Sequence, residues 1–492
     1  IIPGPPGTGK TYRLMQYVEE ELKKTEPSKI AYIAFSNAAA DEARRRIPND
    51  NVVISTMHAY GSENCGFDPK RQLLKNERWK GFKNFSKVCA DLSFESYVTE
   101  SGHIQYKNNH MKVIEYARNR KMSLQDAAVE LELHFTQDLW LTEQIESDLK
   151  IYKDSTGMIE YFDMISKFVE EDKCPPIHVL FLDEAQDLSP LQWDMFFYME
   201  SKCQRSYVAG DDDQTIYTFQ GADPKTFIEL KGTFDPQIKS RRVPRTIHKL
   251  AESIFPYMSQ RLEKDWKPRD AEGEYHTDFY DLDFSKETWF VLTRTNKMLD
   301  QLKDHLYSLN IRFDAKQHAL LDSDMLSAYR TWTRLNQGAS VNKSELEKLW
   351  RFFTVKGGHV QRGFAGGKTL NNVTSIDMDG LREHHGLRAA GDWEVLNFPE
   401  ASKDYIRTIL KNGEDLMKPA RIKLSTIHSV KGEEADNVVL FTDLEKIIYD
   451  SAQKDADPEH RTFFVGITRA KEKLFVANQD YEYQYNIGAP II

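Results

Sequence analysis

The sequence predicts an α/β fold with two parallel-sheet domains, each interrupted by an insertion. Three observations carry this prediction. A Gly4-Pro-Pro-Gly-Thr-Gly-Lys-Thr11 loop follows the apolar Ile1 and Ile2 and opens a helical pattern. A short apolar run at 179–182 ends in the adjacent carboxylates Asp183 and Glu184, as when a buried parallel strand delivers acids to the carboxyl edge of a sheet. Strand-length apolar runs then return near the C-terminus, at 422–425, 438–442 and 474–477.

The elements follow in order. Residues 12–22 have helical periodicity, 30–35 a strand pattern, 38–46 a helix and 52–55 a strand. From 63 to 155 the pattern changes to charged, aromatic-containing helices without buried strands, which predicts an inserted helical domain. The sheet pattern resumes at 179–182 and 206–209. A second α/β domain is expected after Gly232, with a strand at 289–292 and helices at 298–309, 325–334 and 344–353. Residues 355–395 are irregular and glycine-rich (Gly357, Gly358, Gly363, Gly366, Gly367), which predicts a small second insertion. The expected division is a first α/β domain in two parts (1–62 and 156–232) around the 63–155 insertion. A second domain, also in two parts (233–354 and 401–492), surrounds a 355–400 insertion.

Bulk composition limits the alternatives. A chain of 492 residues is too long for one core. With 40% hydrophobic and 29% charged residues, and no apolar run of about 18 residues, it has no candidate membrane helix. Cys65, Cys89, Cys174 and Cys203 are far apart with no C-x-x-C pair, so zinc and disulfide frameworks are disfavoured and a reducing cytoplasm is expected, whether the cell's own or a virus host's. The chain opens on Ile1 rather than Met, so trimmed upstream residues are expected. The net charge of −10 argues against a surface broadly coated for nucleic acid. It leaves room for a local basic track, because residues 70–121 carry about seven more Lys and Arg than acids.

The two leading motifs define a nucleotide-hydrolysing site. Backbone N–H groups around Gly7, Thr8 and Gly9 can face phosphates, and Lys10 neutralises them. The Thr11 hydroxyl and Asp183 are placed to hold Mg²⁺, and Glu184 to polarise an attacking water. An isolated Asp-Glu pair is more often a solvated strand end. The apolar strand before it and the complete phosphate loop argue otherwise. Asp211–Asp213 could be mistaken for a metal cluster but is expected to be a turn at a strand's end.

Around these two motifs stands an ordered series: GPPGTGKT at 4–11, IAFSNAAADEARRRI at 33–47, STMHAY at 55–60, LDEAQD at 182–187 and VAGDDDQTIYTFQGA at 208–222. SRRVPRTI at 240–247, VLTRTN at 291–296, STIHSVKGEEADNVVL at 425–440 and FFVGITRAKEKL at 463–474 complete it. The chain resembles the UvrD/Rep/PcrA-like branch of superfamily 1 DNA helicases, including its compact, phage-type members. The resemblance implies two RecA-like motor domains with parallel sheets, each carrying a mainly helical or irregular accessory domain, and ATP held between the motors. It assigns Arg242 and Arg469, from the second motor domain, to the γ-phosphate. It makes Gln186 and Gln214 phosphate sensors, and Glu434 a contact to the ribose.

Two departures from the family pattern stand out. The resemblance stacks adenine between an Arg after the phosphate-loop Thr and a Tyr before the γ-phosphate Arg. Here those positions hold Tyr12 and Arg241, so a sandwich with exchanged faces is expected. Gln220 stands where an Arg is usual, which predicts weaker, less salt-sensitive DNA binding. The basic stretch with Trp79, Phe82 and Phe85, and with Lys80, Lys83 and Lys87, is expected to compensate by contacting DNA. For the single strand, the resemblance places bases on Phe35, Tyr217 and Phe219, and polar backbone contacts on Thr56, His58, Thr426 and His428. The implied activity is ATP- and Mg²⁺-dependent 3′→5′ translocation on single-stranded DNA with duplex separation. The alternative is a translocase or protein-displacing motor that unwinds weakly. A monomer is expected, acting on single strands and duplex junctions, with replication or repair proteins as loading partners.

Overall fold

The computed structural model describes residues 1–98, 104–131, 133, 139–277, 282–315, 319–365, 367, 369–370, 373–479 and 481–491. Gly366, from the glycine-rich stretch named above, lies outside them. Two compact units divide the chain. The first comprises Ile1–Tyr275, Lys446–Glu472 and Tyr483–Ile492, the second His276–Glu445 and Lys473–Glu482.

The first unit is built on a five-stranded sheet in the order Ile2–Pro3, Arg205–Gly210, Val179–Leu182, Ile30–Ala34, Val53–Thr56, with every neighbouring pair parallel. Strand side chains alternate between faces, and here both faces are buried. Ala31, Ile33, Leu180 and Leu182 enter one hydrophobic cluster. Ile30, Tyr32, Ala34, Val179 and Phe181 enter another, with Leu14 and Val18 of helix Lys10–Glu21. This is why these strands read as unbroken apolar runs.

The insertion after helix Met57–Asn64 is mainly helical, with helices Trp79–Phe85, Asn109–Arg120, Leu124–Glu130 and Leu139–Thr156. It also contains an antiparallel hairpin, Ser96–Val98 with Ile104–Tyr106, which the sequence pattern did not suggest. Trp79 and Phe82 are core residues, packed with Phe94, Tyr106, Ile145 and Leu149. They cannot offer a surface to DNA, and that expectation is corrected for both; Phe85 stays exposed. At the base of the insertion, buried Lys153 pairs with Glu160 and Asp163 at 2.8 Å each, and Arg118 reaches Glu160 at 2.8 Å.

The second unit is built on the neighbouring strands Phe313–Asp314, Ile422–Thr426, Trp289–Thr293 and Ala435–Phe441, in that order. These four strands run parallel. A separate core joins helices Ser323–Asn336, Lys343–Trp350 and Glu400–Lys411 to Val360, Leu370, Leu381, Leu387 and Leu396. Two indoles bind the irregular stretch to those helices, Trp350 Nε1 donating to Phe364 O and Trp332 Nε1 to Asp392 O, each at 2.9 Å. One hydrophobic core thus runs from Met325 to Leu416, and the described residues of the 355–400 stretch pack into it.

The first unit also extends beyond the boundary expected after Gly232, to Tyr275, and takes in Lys446–Glu472. The reason is local bonding. Arg241 N donates to Gly7 O at 2.8 Å, and Arg469 Nη2 to Gln214 Oε1 at 2.8 Å.

Burial and the neighbouring Glu160 push the Glu115 carboxyl up to about 8, against Arg118. A carboxyl raised on folding contributes stability that is full below its unfolded pKa and lost as pH rises through its folded one. Wild type should therefore lose thermal stability between about pH 5 and about pH 8 more steeply than Glu115→Gln. Parallel melting curves for the two proteins would refute this assignment.

Candidate nucleotide-hydrolysis site and aromatic platform

The phosphate loop begins where Pro3 pairs with Gly210 at the edge of the first sheet. Gly7 and Gly9 have φ of 72° and 91°, the left-handed region where glycine alone is unstrained. Gly7 is also a point of close approach, since a Cβ there would lie 2.5 Å from Arg242 Cβ and 2.7 Å from Ser240 Oγ. At Gly9 the nearest atom to such a Cβ is 3.9 Å away. The Thr8 hydroxyl donates to Pro5 O at 2.8 Å, and Lys10 Nζ to Gly4 O at 2.6 Å. Burial lowers the Lys10 ammonium, while Asp211, Glu184 and Asp183 support its charge.

Strand Val179–Leu182 delivers the acids as its sequence predicts. Asp183 Oδ2 accepts from the Thr11 hydroxyl at 3.0 Å and from Tyr32 Oη at 2.9 Å. Burial, followed by the adjacent Glu184, raises the Asp183 carboxyl to about 6, with the two hydroxyls opposing. An oxygen-rich, negatively charged pair whose Asp183 is buried fits a divalent cation. Glu184 has left-handed backbone (φ 55°, ψ 40°), and its N–H donates to Asp183 Oδ1 at 2.9 Å.

From Glu184 a chain of hydrogen bonds crosses the site. Gln186 Nε2 donates to Glu184 Oε2 at 2.7 Å, and Gln186 Oε1 accepts from Asp211 N at 2.9 Å. Asp211 Oδ2 accepts from Gln214 Nε2 at 2.6 Å, and Gln214 Oε1 from Arg469 Nη2 at 2.8 Å. Both sequence-predicted glutamines and Arg469 are thus brought together with Glu184. The Ser240–Arg242 segment is docked on the loop: Ser240 Oγ donates to Pro6 O at 2.9 Å and accepts from Arg242 N at 3.2 Å. The Arg241 guanidinium lies 5.3 Å from the Tyr12 ring centroid, and Tyr12 is exposed. By their contacts Arg242 and Arg469 group with the first compact unit.

The sequence reading missed Ser240, Tyr32, and the cations that hold the acidic run. Asp211, Asp212 and Asp213 are fully buried in a turn paired to Lys264, with Arg261 adding a fork to Asp213 at 3.0 and 3.1 Å. Tyr32 could have been suspected, because a tyrosine inside an apolar strand needs a partner for its hydroxyl. Lys264 sits in a charged stretch with no motif to mark it.

Three predicted base-stacking residues form a platform. Phe35 stacks on Tyr217 at 5.4 Å between centroids, and Tyr217 lies 6.2 Å from Phe219. Tyr217 is buried, whereas Phe219 is 44% exposed and presents the accessible face. Thr56 caps helix Met57–Asn64 by accepting from Ala59 N, and His58 packs edge-on against Tyr161 at 5.5 Å. Thr426, His428 and Glu434 belong to the second unit. There Thr426 Oγ1 lies 2.8 Å from Ser429 Oγ, His428 opens a short turn, and exposed Glu434 precedes strand Ala435–Phe441.

A phosphate loop and an acid-bearing strand on a parallel sheet define a P-loop NTPase. Comparison with known proteins sharpens this. Residues 1–235 match the UvrD/REP helicase N-terminal domain and residues 400–481 the UvrD-like helicase C-terminal domain. The chain belongs to the UvrD/Rep/PcrA-like family of superfamily 1 helicases, and its two sheets are the RecA-like motors of that family. It is 22% identical to the ATP-dependent DNA helicase Rep of Buchnera aphidicola, over 95% of this chain and 90% of that protein. It is 27% identical to F-box DNA helicase protein 1 of Schizosaccharomyces pombe, over 96% of this chain but 54% of that one. Against the ATP-dependent DNA helicase PcrA of Staphylococcus aureus it is 21% identical, over 82% of this chain and 60% of the relative. The chain thus spans little more than half the length of the last two. An arterivirus nonstructural protein 10 helicase structure aligns with a TM-score of 0.34 at 9% identity, over 98% of this chain and 60% of that one, too slight a likeness to weigh.

Gly7 and Gly9 share a left-handed backbone but differ in crowding, so alanine at the two positions should behave differently. Gly7→Ala should be less stable than Gly9→Ala by about 1–3 kcal/mol, the usual cost of overpacking, in denaturant unfolding. Equal losses would show that the Ser240–Arg242 segment does not press on the loop.

Proposed function

We propose that this chain is an ATP- and Mg²⁺-dependent motor that translocates 3′→5′ along single-stranded DNA and separates duplex. Family membership makes it an ATP-dependent helicase-class enzyme; the polarity, the residue roles and the DNA track are this proposal's. The observation that carries it is the continuous hydrogen-bonded chain from Glu184 through Gln186, Asp211 and Gln214 to Arg469, beside a phosphate loop against which the Arg242 backbone is packed.

In this reading the Gly7, Thr8 and Gly9 backbone and Lys10 cradle the phosphates. Thr11 and Asp183 would hold Mg²⁺, which when bound would neutralise charge on the phosphate oxygens. Glu184 orients the attacking water and takes up its proton as the γ-phosphoryl group passes to it and ADP leaves. Arg242 and Arg469 offset charge developing on the transferred group, and fixed charges of this kind need little reorganisation during reaction. Gln186 and Gln214 report the γ-phosphate, each being tied to a catalytic group. Tyr12 and Arg241 flank adenine. Their present spacing of 5.3 Å is less than the two contact gaps of about 3.5 Å that an inserted ring requires, so they separate on binding. Glu434 contacts the ribose, and Thr56, His58, Thr426 and His428 contact the strand's backbone.

The Phe35–Tyr217–Phe219 ladder supports the DNA track, since base stacking on an aromatic face contributes about 1–3 kcal/mol per base. Phe219→Ala should weaken single-strand binding by about tenfold in fluorescence anisotropy while leaving the DNA-free KM for ATP unchanged. Unaltered DNA affinity would remove Phe219 from the track.

The deciding experiment uses matched duplexes carrying only a 3′ or only a 5′ single-stranded tail, with Glu184→Gln as control. Unwinding from the 3′ tail alone, absent in the control, is the expected result. Unwinding from the 5′ tail would overturn the polarity. DNA-stimulated hydrolysis without strand separation on either tail would point instead to a translocase that displaces proteins.

A further inference from the structure

We infer that Lys264 is a positioning residue for nucleotide hydrolysis, acting on Glu184 and Arg469 through Asp211 and the two glutamine amides. The inference rests on the ATPase reading above and adds a residue that lies in none of the motifs.

The argument begins with charge. Asp211, Asp212 and Asp213 are consecutive and have no solvent-accessible side-chain surface. Three adjacent carboxylates cannot all stay ionised out of water without cations against them. Lys264, its side chain 3% exposed, supplies one ammonium to all three: 2.7 Å to Asp211 Oδ1, 2.9 Å to Asp213 Oδ2, and a third bond to Asp212 Oδ1. Arg261 completes Asp213, and Leu262 N donates to Asp212 Oδ2 at 2.7 Å. Burial alone would lower the Lys264 ammonium, but the three acids outweigh it and raise it.

Geometry does the rest. With Oδ1 held by Lys264, Asp211 has Oδ2 left for Gln214. An ionised carboxylate only accepts, so Gln214 must turn its NH₂ toward Asp211 and its oxygen toward Arg469. The Asp211 N–H meets the Gln186 oxygen, which leaves the Gln186 NH₂ for Glu184. The orientation of both amides thus follows from one fixed aspartate. Without Lys264, Asp211 loses the bond that holds its Oδ1 and can rotate away from Gln214, whose amide then loses the acceptor that fixes its oxygen toward Arg469. The nucleotide still meets the same loop, so the loss should fall on turnover rather than on binding.

The test is DNA-stimulated ATP hydrolysis by the full chain, with thermal midpoints measured alongside. Lys264→Met/Asp212→Asn preserves the cluster's net charge while removing the ammonium from Asp211. It should lower kcat by about tenfold with KM for ATP within about twofold of wild type. Adding Gln214→Ala to it should cost little more, because both changes break one chain. Wild-type kcat in the folded charge-balanced variant, or losses that multiply with Gln214→Ala, would overturn the inference. Should that variant not fold, Lys264→Arg keeps the charge and alters the geometry. A reduced kcat at constant KM then supports the role, and an unchanged kcat refutes it. Glu184→Gln separates this inference from the ATPase reading: turnover lost there but retained in every Lys264 variant sinks the inference alone. Turnover unaffected by Glu184→Gln sinks the reading beneath it.

Discussion

Three buried carboxylates in a row, Asp211–Asp213, are the constraint on which the site's arrangement depends. A single unpaired buried ion costs several kcal/mol, so the turn at the end of strand Arg205–Gly210 cannot exist without cations brought to it. They arrive from far along the chain. Lys264 and Arg261 come from the segment after helix Arg245–Glu252, and Arg461 donates to the Asp212 carbonyl from helix Asp457–Ile467. Electrostatic necessity therefore pulls two distant segments onto the first sheet. Arg242 lies just before helix Arg245–Glu252 and Arg469 just after helix Asp457–Ile467, so the chain that delivers these cations also brings both guanidiniums of the proposed site to the first unit.

This accounts for which parts of the molecule were legible in sequence. The first sheet was, because both of its faces are buried and its strands are continuous apolar runs that start and stop with the pattern. The acids at 183 and 184 were legible for the same reason, since an apolar strand that ends in carboxylates has few other meanings. Gln186 and Gln214 were found as family positions, but their linkage through Asp211 was not. It depends on a backbone N–H and a side chain offered in opposite directions by one residue. The 233–275 segment, read with the second domain, makes its contacts with the first compact unit, because periodicity reports what a segment forms and not what it docks against. Trp79 and Phe82 failed in the opposite direction. Aromatics among lysines suggest a binding face, yet at helical spacing beside Phe94 and Tyr106 they fill the core, and only Phe85 reaches the surface.

The accessory layer of the second unit teaches a related lesson. Its irregular stretch is rich in glycine, which suggested a small second insertion. Its Val360, Leu370, Leu381 and Leu387 instead complete a core begun by two helices at 323–350. Trp332 and Trp350 provide both the bulk of that core and the indole N–H groups that fix the stretch in place. A segment unable to bury enough surface by itself becomes ordered by borrowing another's.

Within the hydrolytic site, stability and chemistry pull against one another. Glu184 holds a left-handed backbone that costs a non-glycine residue about 1–2 kcal/mol, and it does so beside a second buried acid. Asp183, raised to about 6, contributes stability that is full below its unfolded pKa and lost as pH rises through about 6. At neutral pH it is ionised at the fold's expense. The hydroxyls of Thr11 and Tyr32 relieve part of that cost without removing the charge. A sequence under pressure for stability alone would place an amide at 183 and a glycine at 184. Under the proposed function, a divalent cation and the phosphates of a nucleotide would satisfy both mutually repelling acids and the lysine whose charge burial weakens, so the elements that weaken the fold are those assigned to its substrate.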